Sequence, residues 1–160
     1  MSNSIEWTVM ETILLTAMDE TAIESIDKAA ELLKSGGLVA IPTETVYGLA
    51  ASAFSQDAVH EIYKAKGRPS DNPLIVHVAD FEAVEEIASE ITPLARKCME
   101  AFWPGPFTAV VPKSDRIPSA VSGGLSTVAI RMPDNAVTRA IIRKSGLPLA
   151  APSANRSGSP

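Results

Sequence analysis

Apolar residues recur at helical spacing in five stretches of the chain and gather into short unbroken runs between them. Ile23, Ile26, Ala30 and Leu33 predict an amphipathic helix over 19–35, with Asp19 as its cap and Gly36-Gly37 as its stop. The run Leu38-Val39-Ala40-Ile41, closed by Pro42, reads as a buried strand. Ser55 opens a second helix carrying Ala58, Val59, Ile62 and Tyr63, and Gly67 closes it. Residues 74–78 form the next strand, and Asp80 then caps a helix with Phe81, Val84, Ile87 and Ile91 on one face. Thr92-Pro93 starts another, a cap followed by proline at the first helical position. Cys98, at helical spacing from Leu94 and Phe102, reads as core, and Trp103-Pro104-Gly105-Pro106 as a rigid turn that ends the helix. Runs at 107–111 and 128–132 are strands, 134–145 is a helix ended by Gly146, and 147–151 is a last strand.

Strands alternating with helices place the chain in the α/β class, as a twisted mixed sheet with flanking helices. With 160 residues, 46% of them hydrophobic, and no repeat or linker, a single soluble domain over 1–160 is expected. No window is long and apolar enough for a membrane span, and the polar start Met1-Ser2-Asn3-Ser4 has no leader pattern. One cysteine excludes an internal disulfide, so the cytoplasm is the expected compartment. A net charge of −5, with no basic run, disfavours a general nucleic-acid binder, although a local basic patch stays open.

The candidate chemistry sits in polar loops beside the apolar runs. Lys66 and Arg68 flank Gly67 at a helix C-terminus. There they read either as solvated cations complementing the helix dipole or as a clamp on phosphate oxygens. No G-x-x-x-x-G-K-[ST] or G-x-G-x-x-G loop occurs, so a nucleotide site would have to be built from side chains of separate loops. Ser153 and Asn155, two apart, would face the same side of an extended chain, or simply form a polar turn. Arg131 stands inside the apolar run Val128-Ala129-Ile130-Arg131-Met132, where a buried guanidinium needs an anion. That anion is either a structural carboxylate or a ligand's, unless this face of the strand is turned to water. Thr45 reads as a turn hydroxyl or a ligand contact, and His77 as an ordinary strand histidine. His60 lies on a helix with no matching ligand, so no protein-bound metal is expected.

Taken in order, Pro42-Thr43-Glu44-Thr45-Val46-Tyr47-Gly48, Lys66/Arg68, Asn72-Pro73-Leu74-Ile75-Val76-His77, Trp103-Pro104-Gly105-Pro106, Thr127-Val128-Ala129-Ile130-Arg131-Met132-Pro133 and Ser153/Asn155 give the chain a marked likeness. It resembles the YrdC/TsaC family, which makes L-threonylcarbamoyladenylate from L-threonine, bicarbonate and ATP for tRNA modification. The resemblance covers about 25–160 and implies the YrdC-like open α/β fold. It also implies that the family domain continues past Pro160, with further sheet and an arginine that helps hold ATP.

By that resemblance Lys66 and Arg68 are catalytic and bind ATP together with Asn72, Thr127, Ser153 and Asn155. Thr45, His77, Arg131 and Ala151 contact L-threonine. ATP enters as a substrate with Mg2+, and tRNA or tRNA-modification proteins act downstream. Two other readings stay open: a carbamoyl-transfer module using carbamoyl phosphate, and a non-catalytic RNA-binding domain.

Overall fold

The computed structural model of the protein describes residues 11–67, 69, 71–156 and 158. Six strands form one mixed sheet in the order β1-β2-β6-β3-β5-β4. They are β1 (Val39–Ile41), β2 (Gly48–Ser52), β3 (Ile75–His77), β4 (Thr108–Pro112), β5 (Thr127–Arg131) and β6 (Leu149–Ala150). Only β3 and β5 pair in parallel; β6 is antiparallel to both β2 and β3, and β4 closes the far edge against β5.

Helices cover the sheet unevenly. α1 (Ile23–Lys34) and α6 (Ala136–Ser145) pack together through Ile26, Ala29, Leu33, Val137, Ile141 and Ile142. With Ile41, Ala50 and Leu149 they bury one face of the β1–β2–β6 half. α2 (Gln56–Lys66), α3 (Phe81–Ile87), α4 (Pro93–Phe102) and the short α5 (Ser119–Ser122) bury the other face against Val76, Val111, Val128, Ile130 and Ala150.

Strand alternation then decides what is left for a ligand. Because successive side chains point to opposite faces, Val128 and Ile130 enter the core while Thr127, Ala129 and Arg131 face away from it. Register lines up Ile75, Ala129 and Val110 in one row, and His77, Arg131 and Thr108 in the next. On this face of β3, β5 and β4, beyond the reach of α1 and α6, Val110 is 65% exposed.

The caps explain most helix boundaries, and some expectations need correction. Ser55 accepts a hydrogen bond from Ala58 N, and Thr92 from Ala95 N, as their spacing predicts. α1 starts at Ile23, not at 19, because the Asp19 carboxylate is engaged by the Thr21 amide and hydroxyl in a preceding turn. Asp80 stands at the N-cap of α3 as expected, but its side chain makes no capping hydrogen bond; it pairs with Arg143 at 2.9 Å, and the helix ends at Ile87, short of Ile91. α6 starts at Ala136, not at 134, because Asn135 caps it, accepting from Thr138 N at 3.0 Å. Cys98 is only half-buried, while Leu94 and Phe102 are 72% and 59% exposed. The helix instead inserts Met99, on its adjacent face, so the reading of Cys98 as core is wrong. β2 and α5 are additions to the predicted elements. The run Gly48-Leu49-Ala50-Ala51-Ser52 has no strand propensity and becomes extended by pairing with β1 and β6.

Candidate functional site

Three loops converge at the end of the covered half of the sheet. The first, 42–47, is folded around the Thr43 hydroxyl, which accepts from the amides of Thr45 (3.2 Å) and Val46 (3.1 Å) and donates to Val46 O at 2.6 Å. The Thr138 hydroxyl on α6, fully buried, donates to Pro42 O and ties this loop to the helix layer.

The second loop follows α2. Gly67 adopts φ 61° as the left-handed cap that turns the chain. Asp71 to Pro73 are then seated on α5. The Leu74 amide donates to Val121 O at 2.9 Å, and the Tyr63 hydroxyl lies 2.8 Å from the carbonyl oxygens of both Asn72 and Ala120. Gly123 is required at this junction: its φ is +61°, and a Cβ there would come within 2.6 Å of Asp71 O.

The third loop, 151–155, runs antiparallel beside Gly48. Ala151 N donates to Ile75 O, Leu49 N to Pro152 O, and Ala154 N to Tyr47 O at 2.8 Å. Lys66 joins the second and third loops. It is only 4% exposed, and its ammonium donates to the carbonyl oxygens of Ser153 (2.5 Å) and Asn155. A surface cation is therefore the wrong picture of Lys66, because the last turn of α2 aims it inward.

Between these loops lies a cavity of about 250 Å³ whose wall includes Thr43, Thr45, His77, Arg131, Ala151 and Ser153. Arg131, at the end of β5, is 9% exposed. Its Nη2 donates to Glu44 Oε1 at 2.5 Å and to Thr45 Oγ1 at 3.2 Å. Its Nε is buried without a partner. An unmade hydrogen bond on a buried donor costs on the order of 1–3 kcal/mol, so an acceptor that reached this atom would be stabilised there.

His77 is Arg131's register partner on β3 and is 4% exposed. Burial, followed by the repulsion of Arg131, lowers its pKa to about 4, so the ring is neutral at pH 7. A neutral imidazole offers one donor and one acceptor, which suits a hydroxyl better than an anion.

The predicted residues thus divide by position. Thr45, His77, Arg131, Ala151 and Ser153 share the cavity wall, and Lys66 holds that wall from behind through the 153 and 155 carbonyls. Asn155 and Asn72 are exposed beside it. Thr127 lies four residues before Arg131 on the same sheet face, half-buried and off the cavity wall. Arg68 lies outside the described residues. Thr43, on the cavity wall, and Glu44, paired with Arg131, are positions at the site that sequence reasoning did not single out. Among the described residues, no three His, Cys, Asp or Glu side chains cluster as a metal centre requires.

A mixed α/β sheet thus opens beside its helix layer onto a small cavity walled by the buried Arg131 and a neutral histidine. Residues 31–160 match the family model of Sua5, YciO and YrdC, described as telomere recombination, and the chain belongs to that family. It is 49% identical to the threonylcarbamoyl-AMP synthase of Pyrococcus abyssi over 149 residues, which is 93% of this chain and 44% of that protein. To the Bacillus subtilis threonylcarbamoyl-AMP synthase it is 55% identical over 136 residues, 84% of this chain and 39% of the other. Among solved structures, P. abyssi Sua5 complexed with L-threonine superposes with a TM-score of 0.87 at 49% identity, covering 93% of this chain and 44% of that one. The chain spans less than half the length of these relatives.

Proposed function

We propose that this domain is the catalytic unit of a threonylcarbamoyl-AMP synthase, a nucleotidyltransferase, with the 250 Å³ cavity as its L-threonine site. The observation that carries the reading is the buried Arg131, whose Nε lacks an acceptor on the wall of a cavity sized for a small amino acid. A threonine carboxylate would supply that acceptor, while His77 and Thr45 offer partners for its hydroxyl and Ala151 a surface for its methyl group. The likeness to a Sua5 bound to L-threonine supports the same placement.

ATP, with the Mg2+ it carries, is the second substrate. It would lie towards Lys66, Arg68, Asn72, Thr127, Ser153 and Asn155. Threonine's amine first condenses with bicarbonate, releasing water and leaving a carbamate. A carbamate oxygen then attacks the α-phosphorus of ATP, and pyrophosphate departs. Neither step needs a protein nucleophile; both need reactants held in line and the charge on phosphate oxygens neutralised. Lys66 and Arg68 are assigned the second task, which for Lys66 requires its ammonium to exchange the Ser153 and Asn155 carbonyls for phosphate oxygens when ATP binds. The product passes to tRNA modification in the cytoplasm. Among the described residues no helix is long and apolar enough to cross a membrane.

The decisive experiment measures pyrophosphate release from ATP with threonine and bicarbonate supplied singly and together. Release is expected only when both are present. Release that ignores threonine would sink the assignment.

A further inference from the structure

Arg131 on the cavity wall and Glu44, beside that wall, form a cation–anion pair with an open hydrogen-bonding position on each. The guanidinium spends Nη2 on Glu44 Oε1 and Thr45 Oγ1, while its Nε stays unpartnered. Glu44 spends Oε1 on that contact, and among the described residues its Oε2 accepts no hydrogen bond. Its side chain is 21% exposed, against 10% for Arg131, so it is the more accessible half of the pair. It stands between Thr43 and Thr45, both on the cavity wall. His77, the other titratable group at this point, is neutral and does not alter the balance.

That balance constrains the ligand. A simple carboxylic acid on Arg131 would bring an uncompensated negative charge beside Glu44, and like charges at that distance disfavour one another. A zwitterion meets no such conflict. Its carboxylate can take the free Nε edge of Arg131 while its ammonium donates to Glu44 Oε2. We infer that Glu44 reads the α-ammonium group, making the cavity selective for amino acids over acids of the same shape that lack the amine.

This inference rests on the threonine-site reading, and two other roles for Glu44 compete with it. Glu44 could merely hold Arg131 in place, or it could be a latch that an incoming carboxylate displaces. The three roles separate on calorimetric titration of L-threonine and of (R)-3-hydroxybutyrate, which keeps the carboxylate, hydroxyl and methyl but lacks the amine. The wild-type protein should prefer threonine by about tenfold or more. Glu44→Gln should weaken threonine by about tenfold and leave 3-hydroxybutyrate unchanged or bound more tightly, so that the preference for threonine collapses. Equal weakening of both acids would reduce Glu44 to a support for Arg131, and tightening of both would make it a latch; either result overturns the inference. Wild-type protein that binds both acids equally also overturns it, and this arm needs no variant to fold. Wild-type protein that binds neither acid removes the threonine site itself.

Discussion

Arg131 and His77 show how far single residues can be read. An arginine inside Val-Ala-Ile-x-Met must meet an anion, so its importance is visible in the sequence. Which anion it meets is not, because Glu44 lies 87 residues away in a loop whose path depends on α6. Lys66 misleads for a similar reason. It ends a helix beside the exposed Lys64 and Gly67, yet the carbonyls that enclose it belong to the far end of the chain. His77 gives the residue-scale prediction. Its folded pKa of about 4 lies below the ordinary 6.5, so in the window between them the unfolded chain takes up the proton first. The stability from keeping the ring neutral is therefore complete above pH 6.5 and lost as pH falls towards 4. The loss is on the order of 3 kcal/mol. Denaturant unfolding of wild type and His77→Gln at pH 7 and pH 4.5 checks this. The variant should lose less stability on acidification than wild type, and parallel losses would mean that His77 does not set the slope.

At the level of elements, those stopped by local chemistry were legible, and those made by distant pairing were not. Ser55, Thr92, Gly67 and Gly146 mark real helix ends because a cap needs only its own few residues. β2 escaped notice because Gly, Ala and Ser carry no strand signal, and its neighbour β6 is a hundred residues later in the chain. This contrast separates supports of the fold from supports of the site. Ser55→Ala removes a cap on α2, remote from the 42–47 loop, and should cost about 1 kcal/mol of stability. Thr138→Val keeps the volume but removes the bond to Pro42 O that anchors that loop, at a similar cost of about 1 kcal/mol. Threonine affinity should fall in Thr138→Val and hold in Ser55→Ala, and amide exchange at 45–47 should quicken only in the former. Equal threonine affinity in both variants would show that the loop does not depend on α6 for its position.

For the whole molecule, the sequence tells the class of sheet but not its strand order. A mixed sheet follows from alternating strands and helices. The insertion of β6 between β2 and β3 does not, and that insertion brings Ala151 and Ser153 beside Gly48 and Ile75. Ligand binding should therefore stabilise the chain as a unit, since the cavity draws on β3, β5, the strand end after β6 and the 42–47 loop together. A ligand that binds only the folded form at about a hundred times its dissociation constant adds about 2.7 kcal/mol. For a domain of this size that raises the melting temperature by about 5–10 °C. Threonine and ATP should each give such a shift, measured by scanning fluorimetry, and more when combined. Arg131→Met should abolish the threonine shift, because truncating a buried charge–carboxylate contact costs on the order of 2–5 kcal/mol, while leaving most of the ATP shift in place. Equal loss of both shifts would move Arg131 from the threonine site to the nucleotide or to the support of the sheet.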